Sequence, residues 1–148
     1  GLMREAGARG VATGRQWIAN SGTMLRLLQY AAMLDLMVVA HPEDAALAGN
    51  AVATAGEVAT RRGLPSAPAE AESIALTRDI ALAEMAGARI HFRQVTTRAG
   101  LEIVRRAKAR GVSVTCGVTP AHFMLSDLAT VDFRTFARLS PPLPAQLL

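Results

Sequence analysis

The side chains in this sequence best suited to chemistry are three histidines, His41, His91 and His122, one cysteine, Cys116, and the adjacent carboxylates Glu43 and Asp44. His41 is set apart by its position. The run Met37-Val38-Val39-Ala40 reads as a buried strand, and Pro42, which has no amide hydrogen, stops the ladder just beyond it. His41 is then the first polar side chain at a strand's carboxyl end, where ligands sit in barrels and open sheets of alternating strands and helices. An imidazole placed there can bind a metal or move a proton. None of the local ligand spacings of zinc proteins occurs, so a metal centre would have to be assembled from several strand ends. Glu43 and Asp44 could support His41 from behind or shape the turn, and for Asp44 the turn is the better fit. An isolated strand histidine such as His91 is ordinarily a hydrogen-bonded structural imidazole. Cys116 lies inside an apolar strand and reads as core rather than nucleophile. The sequence has no Gly-x-Gly-x-x-Gly turn, no phosphate-binding Lys-Ser or Lys-Thr loop and no Gly-x-Ser-x-Gly elbow.

The elements that must position these residues alternate. Residues 1–10 read as the end of a helix running into a turn broken by Gly7 and Gly10, followed by a short strand near residues 11–13. Asn20-Ser21 offers a cap to a buried helix carrying Met24, Leu27, Leu28, Ala31 and Leu34. After the strand that delivers His41, residues 51–63 predict a short helix ended by Gly63, and Pro65 and Pro68 bracket a loop. A long helix follows, with Glu70 and Glu72 near its N-terminus and an inner face of Ala71, Ile74, Ala75, Arg78, Ala81, Leu82 and Met85, ending at Gly87. Residues 89–95 predict a strand, Thr97 caps a helix through Leu101, Val104 and Lys108 to Gly111, and residues 112–118 predict the next strand. Thr119-Pro120 ends that strand, and a short helix around 121–129 leads to an irregular tail containing Pro141, Pro142 and Pro144. Strands alternate with helices and no hairpin signal occurs, so right-handed crossovers and a parallel α/β sheet follow. Four parallel strands fit either a small open sheet or half of an eight-stranded barrel.

The totals narrow the class. With 148 residues and 51% hydrophobic content the chain can bury one sizeable core, and one domain, or one piece of a larger domain, is expected over 1–148, with no second domain. One cysteine allows neither an internal disulfide framework nor a cysteine-rich zinc site, and fits a reducing compartment, with cytoplasm the default. No apolar run approaches a membrane span, and the N-terminus shows no signal-peptide pattern. The start at Gly1 rather than methionine predicts processing, a cloning scar or further sequence upstream. The net charge of +4 is spread along the chain, densest at Arg61-Arg62 and across residues 105–110, and only 4% of residues are aromatic. Solvated helix faces rather than a nucleic-acid site follow from that distribution.

Several short segments, in order, resemble the dihydroorotases of the amidohydrolase superfamily over almost the whole chain. They are Asn20-Ser21-Gly22, His41-Pro42-Glu43-Asp44, Ala48-Gly49-Asn50, Gly56-Glu57-Val58-Ala59-Thr60-Arg61, Pro68-Ala69-Glu70-Ala71-Glu72 with Arg78-Asp79, Val118-Thr119-Pro120-Ala121-His122 and Pro141-Pro142-Leu143. The resemblance implies a (β/α)8 barrel, of which this chain would cover about the fourth to seventh strands. It also implies one or two zinc ions, held by a His-x-His pair on the first strand, a fourth-strand carboxylate, histidines on the fifth and sixth strands and an eighth-strand aspartate. The implied reaction is metal-assisted opening of the cyclic amide of dihydroorotate, or its reverse, cyclisation of carbamoyl aspartate in pyrimidine biosynthesis.

Carried over residue by residue, His41 falls on the fifth-strand ligand position. In Ile90-His91-Phe92-Arg93-Gln94-Val95, the second histidine of the family pattern, a ligand, is replaced by Gln94, and His91 matches the first, which is not a ligand. His91 and Asp44 are the residues that could stand behind the ligands. Residues 12–17, Ala-Thr-Gly-Arg-Gln-Trp, carry no carboxylate or lysine where Asp-Asp-Gly is usual. Ser140 stands where asparagine commonly precedes Pro-Pro-Leu, and Pro144 where arginine commonly follows. An amide oxygen is a weaker zinc ligand than imidazole, so the resemblance implies no binuclear site here and an inactive chain on its own. Two readings follow: a non-catalytic dihydroorotase-like scaffold, for which the family suggests aspartate carbamoyltransferase as partner, or a one-metal amidohydrolase acting on dihydroorotate or another cyclic amide or ureide. Half a barrel would leave two open sheet edges, so self-association is expected.

Overall fold

A computed structural model describes residues 1–132 and 135–145. In chain order its elements are α1 (Leu2–Glu5), β1 (Gly10–Ala12), α2 (Ser21–Met33), β2 (Met37–Ala40), α3 (Ala45–Ala48), β3 (Ala53–Thr54), α4 (Glu57–Arg62), β4 (Ser66–Ala67), α5 (Glu70–Ala86), β5 (Arg89–Phe92), α6 (Arg98–Ala109), β6 (Val114–Cys116) and α7 (Pro120–Met124). Two 3-10 turns, Asp127–Thr130 and Thr135–Ala137, follow. The four principal strands form one sheet in the order β1-β2-β5-β6, and every pairing is parallel. The expected α/β architecture is thus observed, with helices as the crossovers.

Register sorts the side chains into two faces. Val11, Val38, Ile90 and Val114 are aligned across the sheet and meet the helical layer, where Met24, Leu28, Ala31, Leu76, Ile80, Ala83, Val104 and Ala107 complete the core. The next row, Ala12, Val39, His91 and Thr115, points to the opposite face because side chains alternate along a strand. Asn20 caps α2 as expected, its Oδ1 accepting the Thr23 N–H at 2.8 Å.

Two expectations are corrected. Residues 51–63 are not one helix: Ala53–Thr54 pairs in parallel with Ser66–Ala67, and only Glu57–Arg62 is helical. The two-residue pair is too short to leave a periodic signature. The inner face of α5 is also rotated from the predicted one: Ala71, Glu72, Ala75, Leu76, Asp79, Ile80 and Ala83 are buried, while Ile74 and Met85 are 47% and 72% exposed. Hydrophobic spacing misleads here because two carboxylates face inward. Asp79 lies fully buried and accepts from Arg78 Nε at 2.9 Å and Nη2 at 2.6 Å. Arg78 also stacks 3.9 Å from the Trp17 ring and donates to the Ala19 carbonyl at 2.9 Å, fastening the loop after β1 to α5. Burial pushes the Asp79 carboxyl up, and Arg78 acts against that rise. Among the described residues, no helix is long and apolar enough to cross a membrane.

The second inward carboxylate, Glu72, organises the segment after β5. Its Oε2 accepts the N–H and hydroxyl of Thr96, both at 2.7 Å, and its Oε1 those of Thr97 at 3.0 and 2.6 Å. Burial raises this carboxyl above its ordinary value, while the threonine donors pull it down. Thr97 caps α6 as expected, taking the Gly100 N–H at 2.9 Å. Gly100 is required by close approach: a Cβ there would stand 2.2 Å from Glu72 Oε1 and 2.9 Å from Leu76 Cδ1. We therefore expect Gly100→Ala to destabilise the fold by about 1–3 kcal/mol through overpacking. Glu72→Ala, which strands four donors, should cost roughly 3 kcal/mol or more. Urea unfolding followed by circular dichroism checks both, and unchanged midpoints would show that the contact is dispensable.

Candidate functional site at the carboxyl ends of the strands

The carboxyl ends of the sheet strands lie on one side of the molecule, as parallel pairing requires. His41 is there, one residue past β2 and only 3% exposed. Its Nε2 is 3.1 Å from Glu43 Oε2, and a carboxylate in that place selects the tautomer with the proton on Nε2. Nδ1 is then left with its lone pair, and it is buried with no hydrogen-bond partner among the described residues. Glu43, rather than Asp44, supports the imidazole. Asp44 turns away to cap α3, accepting the N–H groups of Ala46 and Leu47 at 2.9 and 3.3 Å.

His91 bonds across to the next strand, Nδ1 to Thr115 Oγ1 at 2.8 Å, and does not approach His41 through any hydrogen bond. The ladder continues past β5, with the Arg93 N–H donating to the Ala40 carbonyl and the Gly117 N–H to Phe92. Alternation then turns Arg93 to the same face as His91. Gln94 is half-buried and lines an open cleft of about 680 Å3 over the strand ends, together with Arg15, Asn50, Arg93, Arg138 and Ser140.

His122 is buried and spoken for at both ring nitrogens. Nδ1 lies 2.6 Å from Thr119 Oγ1 and Nε2 2.8 Å from the Pro141 carbonyl. It is a strut that pins the tail across α7, and the Thr54 hydroxyl, donating to the Leu143 carbonyl at 2.8 Å, pins it from the other side. Cys116 is half-buried against the core, and burial pushes its thiol up, which suits packing rather than nucleophilic attack.

The residues present do not by themselves compose a zinc centre. Among the described residues no group of three or more His, Cys, Asp or Glu side chains could hold a metal. At the ligand positions that the resemblance carries over, the described residues supply the His41 imidazole and the Gln94 amide, short of the three or four ligands zinc takes. The sequence reading treated the basic residues as solvated surface and so missed Arg15, Arg93 and Arg138 as lining of the cleft. Arg93 carried a usable signal, since it sits between His91 and Gln94 in a strand end.

Comparison with known proteins agrees with this architecture. Residues 1–100 match the family described as Dihydro-orotase-like. The chain is 43% identical over 143 residues to the dihydroorotase of Pelotomaculum thermopropionicum, covering 97% of this chain and 34% of that protein. Identity to the dihydroorotase of Geobacter sp. strain M21 is also 43% over 143 residues, with the same coverage. The chain therefore spans about a third of the length of the curated relatives it matches. Among solved structures, a D-hydantoinase superposes with a TM-score of 0.78 at 24% identity, over 97% of this chain and 34% of that one. The L-hydantoinase of Arthrobacter aurescens gives 0.75 at 21%, over 97% and 34%. At that identity the likeness speaks for the fold, and it makes the four parallel strands a section of a (β/α)8 barrel. The chain belongs to the dihydroorotase-like family of cyclic amidohydrolases.

Proposed function

We propose that the protein carrying this chain is a dihydroorotase-like protein of pyrimidine biosynthesis whose metal site is degenerate, and that it serves in the cytoplasm as a non-catalytic scaffold. The observation that carries this reading is Gln94: it faces the cleft where the family resemblance calls for an imidazole, and no carboxylate comes from the loop after β1. In this reading the 148 residues act as part of one domain, and its partner is aspartate carbamoyltransferase.

One observation favours a second reading. His41 Nδ1 is buried, has no hydrogen-bond partner among the described residues and is oriented by Glu43 through Nε2, which is how a ligating imidazole is held. With further ligands from outside this chain, a single zinc could activate water against dihydroorotate or another cyclic amide or ureide.

Elemental analysis of the protein purified without chelator, after growth with zinc, separates the two. The scaffold reading expects well below one zinc per polypeptide and dihydroorotate turnover at background. About one zinc per chain, lost together with activity in His41→Ala, would overturn it. Co-sedimentation with aspartate carbamoyltransferase checks the partner, and separate sedimentation of the two counts against it.

Self-association is part of the same proposal. Among the described residues β1 and β6 each have one strand neighbour in the sheet, and Leu2, Met3 and Tyr30 are exposed around a groove that Val11 of β1 also lines. Sedimentation velocity of the 148-residue chain should show dimers or larger species, and a monodisperse monomer would contradict it.

A further inference from the structure

The chain's excess positive charge is carried by one helix. Residues 98–110, which are α6 and the residue that ends it, hold five of the chain's 16 Lys and Arg residues, Arg98, Arg105, Arg106, Lys108 and Arg110, and one of its 12 carboxylates, Glu102. Taking these away leaves eleven of each sign, so this segment accounts for the whole net charge of +4. All five cations are exposed, because Val104 and Ala107 hold the other side of the helix in the core. Arg105 and Arg106 share Glu102, at 3.9 and 3.0 Å, and Arg110 reaches Glu84 of α5 at 3.4 Å. Glu102 and Glu84 are each about half exposed, and pairs so open to water are weak enough to be exchanged for others. The helix macrodipole explains only part of this distribution: cations suit the last turn, whereas Arg98 in the first turn opposes the dipole.

We infer that the exposed face of α6 is a docking surface for an acidic segment of a partner protein. The face lies away from the cleft: α6 leaves Thr97 beyond the carboxyl end of β5 and ends at Arg110 just before β6, which places its four C-terminal cations toward the amino ends of the strands. Four of the five cations are arginines, whose planar forks match carboxylates, and the pairs with Glu102 and Glu84 show the array already collecting such groups. The helix that carries them is fixed by its Thr97 cap and its core side, so its backbone needs no ordering on binding. A membrane surface is the poorer partner because no large apolar side chain of α6 is exposed to enter it. Nucleic acid is poorer because α6 has no aromatic ring on which a base could stack. The inference does not depend on the scaffold reading, since a one-metal enzyme would present the same helix.

The test is fluorescence anisotropy of a labelled oligo-glutamate peptide titrated with the full protein, with labelled duplex DNA titrated in parallel and vesicles of phosphatidylcholine and phosphatidylserine in co-sedimentation. Saturable peptide binding is expected, with affinity falling as salt is raised. Arg105→Gln combined with Arg106→Gln should weaken it about tenfold, the loss of two exposed charge pairs. Arg61→Gln combined with Arg62→Gln removes the same charge from exposed positions on α4 and should change the affinity by less than about twofold, within what loss of long-range attraction alone produces. All four positions are exposed, and unchanged circular dichroism shows that each variant is folded. Equal weakening by the two double variants would reduce the effect to net charge and overturn the surface. No saturable peptide binding would overturn it as well, and tighter binding to the duplex or the vesicles than to the peptide would overturn the assigned partner. Zinc content and dihydroorotate turnover, which decide between the two functional readings, are unaffected by any of these outcomes.

Discussion

The arrangement at the strand ends depends on one buried carboxylate. Glu72 enters from α5 and collects four donors from Thr96 and Thr97, the two residues that join the segment after β5 to α6. A buried carboxylate is tolerable only when hydrogen-bonded, and the donors reciprocally have no water to turn to. The contact therefore works in both directions. It fixes the rotation of α5 about its axis, and it holds the exit from β5 so that Arg93 and Gln94 are presented to the cleft. Gly100 belongs to the same contact, since the first turn of α6 can approach Glu72 only without a side chain.

Around that anchor the strand ends divide into a satisfied part and an unsatisfied part. His122 is bonded at both ring nitrogens, to Thr119 and Pro141, while His91 is bonded through Nδ1 to Thr115 and Asp44 through Oδ1 to the α3 amides. They hold the framework together. His41 and the arginines are different. His41 keeps one buried nitrogen without a partner, and Arg15 and Arg138 face the cleft without counter-ions among the described residues. Unpaired polar atoms and charges in a concave place carry more functional meaning than buried imidazoles that are already bonded at both nitrogens.

The described lining of the cleft over the strand ends is basic. Where the family resemblance leads one to expect carboxylates and imidazoles gathering cations, this chain offers guanidiniums and amides. Arg93, bonded to the Gly14 carbonyl, adds a guanidinium beside the end of the strand that carries His41.

Much of the fold was legible in the residues alone. Pro42 after a four-residue apolar run marked the end of β2, Asn20 and Thr97 marked helix starts through their capping oxygens, and the alternation of strand and helix required a parallel sheet. These are local constraints, written in backbone chemistry and side-chain period, so sequence determines them directly. The burial face of α5 was not legible, because Glu72 and Asp79 count as polar until their partners, distant in sequence or specific in geometry, are known. The pairing of residues 53–54 with 66–67 was hidden for a related reason: two residues have no period. The His41 position and the absence of a histidine at Gln94 could be read from the chain. That Glu43 rather than Asp44 holds the imidazole, and that Arg93 reaches over β2 to Gly14, was decided only by tertiary structure. Those contacts depend on which strand lies between which others, and strand order follows from the packing of the whole sheet rather than from any stretch of it.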